Sequence, residues 1–443
     1  MSGNARPIVD LGIDDPEQAI ARQVGLHSLF WMAAANSVGI WIALLLICPD
    51  WGSILGECSY GRWMPVHLNW QLYGWCSLPA VGILFKSYLP ATLQGETHAR
   101  WALQCWSLAL ALGGISWLRG ETSGKLFLDW TGISRWVFIG ALGFLWVILA
   151  FHHWKACGTR LIRGALRSPS ALGKSLALAA LGTVPLALYW ATRPDVYPSI
   201  DPSTGGPTGA SLLGSTLVIV LIFALTPRAL GVGMKSTGTN KWFWPLFAGS
   251  AALFLILDHG NTSHHDWRQI AGLASLLVWI PALCRLLLSF DWAPHSRLWL
   301  GALCAWWSLL AASGVSAFLP GILDHIKFTH ALVAHAHLAM AGLLSSYNAL
   351  VLLNLRRETL AAFRFLSMPI AFATWHASLI LHLAALAGIA SVEVTHQGHF
   401  FVGGAAPLFA LRLIAGIAMA ATSIYWVWGA SRYKDGVPVT GHA

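Results

Sequence analysis

A chain of 443 residues that is 56% hydrophobic and only 10% charged, with a mean hydropathy of +0.62, excludes a soluble globular protein, whose charged fraction is about 25%. The net charge of +9 is not gathered into a basic groove with interleaved aromatics, which excludes nucleic acid as a partner. Seven cysteines with no CxxC or CxxCH exclude covalent c-type haem and iron–sulfur ligation within the chain.

Twelve apolar runs follow one another, near 26–48, 63–89, 100–118, 131–154, 171–192, 209–227, 242–263, 269–290, 297–319, 327–354, 367–389 and 403–429. At about 1.5 Å per residue, each is long enough to cross a hydrocarbon core about 30 Å thick. The fold expected is therefore an all-α polytopic membrane protein of twelve transmembrane helices. Connections are mostly short, so residues 1–443 are expected to form a single bundle domain. A polar start (Asp10, Asp14, Asp15, Glu17) precedes a full-length first span, and no cleavable signal peptide is expected. With the N-terminus inside, nineteen of the 27 Lys and Arg residues fall on the inner side and six on the outer. That bias puts both termini in the cytoplasm, and in a bacterium the membrane is the inner one. The positive charge is then topology, and the 25 Trp residues suit interface belts and helix packing. Cys48 and Cys58 share the outer side and are candidates for a disulfide.

Three histidine groups meet on that outer side. Span two opens GRWMPVHLNWQLYGW, which sets His67 a few residues below the surface. Span seven ends LDHGNTSHHDW, which brings His264 and His265 to the same side. Span ten holds FTHALVAHAHLAMAG, with His330, His335 and His337, more imidazole than an apolar helix keeps without partners. His335 and His337 lie about 12 to 15 Å deep at the rise of a helix. Two positions apart, they point to opposite faces.

Haem ligation is the chemistry that needs this pattern. A low-spin b-type haem takes two axial imidazoles from opposite directions, and His67 facing His337 makes such a site. His335 then holds a second, high-spin haem by one ligand, its distal side open to a small molecule. His264 and His265 are candidates to reach across that side to a copper or non-haem iron. Against each of these stands a simple hydrogen bond to a neighbouring helix. His152 and His153, at the inner end of span four, are read as that. Arg412, well inside span twelve, needs a partner, either a haem propionate or a protein carboxylate. His396 and His399 lie in the loop before that span. The outer acids Glu121, Asp129, Asp258, Asp266 and Asp324 are assigned to helix ends and loops.

PVHLNWQLYGW followed by LPAVGILFKSYLP, the HxH of FTHALVAHAHLAMAG, LRLIAGIAMAATSIYWVW and, more weakly, HHDWRQI resemble helices two, ten, twelve and seven of a known family. It is the catalytic subunit I of the haem-copper oxidase superfamily, in its cbb-type cytochrome c oxidase and nitric oxide reductase branch. The resemblance implies a subunit I-like bundle with His67 and His337 on the low-spin haem and His335 on the high-spin haem. His264 and His265 match two of the three ligands of the second metal. The third belongs to helix six, but GASLLGSTLVIVLIFAL contains no His, and span seven lacks the His-linked Tyr of cbb-type oxidases, so that copper site does not carry over. The expected function is a haem-bearing oxidoreductase subunit of a respiratory complex. It would take electrons from a cytochrome c or a cytochrome c-containing subunit, beside other membrane subunits, toward O2 or NO. The alternative is a haem electron-transfer or gas-sensing subunit that has lost the second metal and gas reduction.

Overall fold

The structure, a computed structural model, describes residues 15–55, 58–162, 169–197, 202–203, 209–235, 241–356, 363–396 and 405–432. Asp10, Asp14 and His399 lie outside them. Among the described residues there is no β-strand, only an isolated bridge between Met234 and Phe290. The helices are α1 (Pro16–Ile47), α2 (Tyr60–Asn69), α3 (Leu78–Tyr88), α4 (Leu93–Leu118), α5 (Gly132–Ile162), α6 (Pro169–Gly182), α7 (Val184–Ala191), α8 (Gly209–Ala229) and α9 (Phe243–Leu257). They continue with α10 (Trp267–Leu276), α11 (Trp279–Leu288), α12 (Arg297–Ala317), α13 (Leu323–Ile326), α14 (His330–His337), α15 (Ser345–Asn354), α16 (Pro369–Thr395) and α17 (Ala406–Arg432).

Helix starts follow local chemistry. Asp15 accepts from Glu17 N–H at 3.1 Å with Pro16 at the first position of α1, and Thr92 accepts from Gly95 N–H at the head of α4. Asp266 and Thr329 cap α10 and α14 in the same way.

Among the described residues, ten helical stretches are long and apolar enough to cross a membrane. Two of the twelve expected spans are not among them. Near 63–89, His67, Asn69 and Gln71 dilute the hydrophobicity of the α2–α3 run. Near 242–263 the chain leaves the helix at Asp258, whose ψ is 108°, and α9 stops after 15 residues. The α2–α3 run still reaches from one end of the bundle to the other. Arg62 Nη1 donates to Leu118 O at the end of α4, while Lys86 Nζ donates to Leu355 O beyond α15. The start of α1 joins that second end, through Glu17 beside Lys86 at 3.9 Å and Asp15 with Arg356 at 2.6 Å. Leu186, Leu255, Ile133 and Ile370 stand exposed on outer helix faces, as side chains that meet lipid do.

The centre of the bundle is the stretch His330–Asn354: 72% of its apolar window is buried, against 11–50% for the other nine. It is not one regular helix. Residues Leu338–Leu344 are π-helical, and so are Trp70–Cys76 between α2 and α3. Both wide turns end on a serine that bonds five residues back, Ser345 Oγ to Met340 O at 3.0 Å and Ser77 Oγ to Leu72 O at 2.8 Å. That satisfies a carbonyl the wider ladder would leave open. The two π turns are also tied together. Trp75, fully buried, donates to Ser345 Oγ at 2.8 Å, and Asn348 Nδ2 donates to Trp75 O at 2.9 Å. All seven cysteines are free, so Cys48 and Cys58 do not form the disulfide considered from their shared side.

Replacing Asn348 with Ala strands the buried Trp75 carbonyl. The expected loss is about 1–3 kcal/mol, read as a lower thermal unfolding midpoint of the purified protein in detergent.

Candidate functional site

Immediately before each π turn lies one of the histidines singled out by sequence: His67 precedes Trp70–Cys76 by less than a turn, and His337 ends α14. Their ring centroids are 6.5 Å apart with planes inclined by 26°. The same protein supplies a comparison, since His98 and His152 share a direct hydrogen bond of 2.9 Å with centroids at 5.0 Å. His67 and His337 are therefore too far apart to bond each other. Imidazole-to-metal bonds of about 2.0–2.1 Å, extended by the ring radii on both sides, put the centroids of a bridging pair at about 6.3 Å.

Backbone carbonyls fix which nitrogen each ring offers. His67 Nδ1–H donates to Ala35 O at 2.8 Å and His337 Nδ1–H to Val333 O at 2.8 Å. A carbonyl only accepts, so Nδ1 carries the proton and Nε2 keeps its lone pair, the state a metal ligand needs. Gly39 of α1 makes the seat for His67, because a Cβ there would come within 2.9 Å of His67 Cε1.

His335 faces elsewhere, as the two-residue spacing requires. Its Nδ1 lies 3.3 Å from Ser313 Oγ on α12, and its ring rests on Gly314, where a Cβ would sit 3.2 Å from Cε1. α14 thus directs one imidazole to α12 and another toward α2 and α16. His67, His335 and His337 each retain uncovered surface, whereas His330 and His382 are buried.

Three residues of this neighbourhood went unread in the sequence: His376, His382 and Glu393, all on α16. His382 packs on His337 with centroids 4.7 Å apart and donates from Nδ1 to Arg412 O at 3.3 Å. His376 accepts from Trp306 Nε1 at 3.1 Å. Glu393 takes both donors of His330, the backbone N–H at 2.7 Å and Nδ1–H at 2.6 Å. His330 Nε2 in turn accepts from Arg412 Nη1 at 3.3 Å. Arg412 is buried, and its Nε has no hydrogen-bond partner among the described residues. Its protein partner is thus an imidazole backed by a carboxylate. An ionisable residue inside an apolar run was the available signal for His376 and His382, whereas Glu393 lies just beyond the run at 367–389.

His264 and His265 lie beyond the end of α9, in the connection to α10. His264 Nε2 is 3.1 Å from Asp324 Oδ1 on α13 and His265 Nε2 is 3.8 Å from Asp324 Oδ2. His259 is exposed and takes no part in this group. Burial acts to raise the Asp324 carboxyl, but the hydrogen bond from Gly321 N–H and the His264 imidazole beside it outweigh it and hold the group below the usual carboxylate range. His152, His153 and Asp129 serve the structure. His152 bonds His98 and His153 bonds Ser175, while Asp129 closes a turn by accepting from Ser123 and Gly124 N–H.

No family model matches the chain, and no curated protein is significantly similar to it.

Replacing Glu393 with Ala leaves two donors of His330 unpaired against a buried Arg412. A loss of about 1.5–3 kcal/mol is expected in thermal unfolding, the worth of a charged hydrogen bond, and Gln at this position retains part of it.

Proposed function

We propose that this chain is a haem-bearing oxidoreductase subunit of a respiratory membrane complex, built on a subunit I-like bundle in which the α2–α3 run and α9 complete twelve crossings. The observation that carries the reading is the pair His67 and His337, 6.5 Å apart with both Nε2 lone pairs free. The donor set fits a low-spin b-type haem, which when bound supplies a one-electron ferric–ferrous couple. His67 and His337 would hold that haem between them through their two imidazoles, and such a site would take up no diatomic gas. His335 would hold a second, high-spin haem through one imidazole from the other face of α14.

The chain's own residues set the conditions. Ala35 and Val333 carbonyls lock the two rings in the ligating tautomer. Arg412, held by His330, brings a positive charge whose Nε is open to an acid such as a propionate. Electrons would enter from a cytochrome c or a cytochrome c-containing subunit on the outer side, which in this reading faces the periplasm across a bacterial inner membrane, an orientation that the lysine and arginine bias supports. O2 or NO is the acceptor in this reading.

One observation favours the narrower alternative, an electron-transfer or gas-sensing subunit without gas reduction. His264 and His265, which would flank a gas at a second metal, engage Asp324 in loops, and α8 offers no histidine.

Purified protein is expected to give a reduced-minus-oxidised b-type spectrum. Loss of the low-spin band is expected in His67→Ala and His337→Ala but not in His264→Ala. Carbon monoxide binding to the reduced protein, abolished by His335→Ala, reports the five-coordinate site. A preparation without haem overturns the reading, and a low-spin band that survives His337→Ala overturns the ligand assignment.

A further inference from the structure

We propose that His264, His265 and Asp324 form a divalent transition-metal site, of the class that takes Zn2+, on the loop end of the bundle. One ligand atom from each lies within 4.8 Å of the others. The ligand atoms of a tetrahedral site with bonds of about 2.0–2.1 Å stand about 3.3 Å apart. His264 Nε2 stands 3.1 Å from Asp324 Oδ1, close to that value, and His265 Nε2 stands 3.8 Å from Oδ2, so a small shift brings the three ligand atoms around one ion.

The local backbone serves this geometry. Adjacent side chains on a helix or strand diverge, yet these two rings come to 3.9 Å with planes at 44°, because the chain has left α9 and has not yet begun α10. Asp324 turns one oxygen to each imidazole, and Gly321 N–H holds Oδ2 at 3.1 Å, the kind of outer hydrogen bond that orients a ligating carboxylate.

Two imidazoles and one carboxylate select the cation. Imidazole disfavours Ca2+ and Mg2+, and the absence of thiolate or thioether from the set disfavours Cu(I), which leaves Zn2+ and similar ions. Three protein ligands keep a position for water. His265 is 54% exposed and Asp324 40%, so the ion enters from solvent, unlike one enclosed beside a haem. Its mechanical effect follows from the chain path. Asp324 belongs to α13, which leads through Lys327–Thr329 straight into α14, so the ion fastens the α9–α10 connection to the head of the helix that carries His335 and His337. The assignment does not rest on the haem reading.

The test is Zn2+ titration by calorimetry of the full-length protein in detergent after chelation, with Co2+ absorption as the report of geometry. One saturable Zn2+ per chain and a tetrahedral-type Co2+ spectrum are expected. His265→Ala and Asp324→Asn should each weaken Zn2+ binding by at least about tenfold, since disturbing even an outer partner of a metal ligand costs about 10–100-fold. His98→Ala should leave it unchanged. In the unaltered protein, Zn2+ should also protect His265 from modification by diethyl pyrocarbonate, a readout independent of any variant's folding. No saturable binding, undiminished binding in the Asp324→Asn protein, or an unprotected His265 at full Zn2+ occupancy overturns the proposal. The haem spectrum is expected to be the same in all these variants, so failure here and failure of the haem reading are told apart.

Discussion

Everything at the centre of this bundle depends on two short hydrogen bonds from imidazole Nδ1 to a main-chain carbonyl, His67 to Ala35 and His337 to Val333. In an apolar interior a polar group without a partner costs several kcal/mol, so an imidazole there settles one nitrogen on protein and presents the other. Ala35 lies on α1, whereas Val333 is one turn back on the same helix as His337. The first ring is therefore set by packing between helices and the second by its own helix. That division explains why a glycine, Gly39, is needed on α1 at the place where His67 approaches.

The π turns belong to the same arrangement. A π turn costs hydrogen-bond quality, and such turns gather at functional sites. Here they sit just after His67 and just after His337, and the Trp75–Ser345 and Asn348–Trp75 bonds join one to the other. The strand of chain below each ring is thereby fixed relative to its opposite number. A separation of 6.5 Å between two rings on different helices is maintained by these bonds, not by contact between the rings.

The sequence carried the candidate ligands more clearly than their partners. HxH at two-residue spacing on an apolar helix forces divergence, and the structure duly sends His335 to α12 and His337 toward α2 and α16. Arg412 stood out because charge at that depth is rare. Glu393 fell just beyond the apolar run at 367–389 and looked like a loop residue, though α16 continues to Thr395 and delivers it to His330. His382 had no repeat or motif around it. Asp324 was visible as an outer acid, but its meeting with His264 and His265 depends on how two loops fold, which periodicity does not encode. Helix lengths erred where polar residues interrupt: α9 stops at Leu257, and the α2–α3 run crosses the bundle with too much polarity to be counted by apolarity alone.

Charge balance around Arg412 shows how the cluster is kept inside the bundle. A guanidinium out of water costs several kcal/mol unless opposite charge and hydrogen bonds compensate. Glu393 supplies the charge, and His330 transmits it with its Nδ1–H toward the carboxylate and its Nε2 lone pair toward Arg412. Such an imidazole is polarised in the sense that favours both ions. Arg412 also accepts from His382 through its own carbonyl, and His382 lies against His337. One residue of α17 thus joins the Glu393–His330 pair to the ring that faces His67. Because Arg412 Nε has no partner among the described residues, the balance is incomplete on that side, and an anion there would meet a donor already dehydrated and held in place.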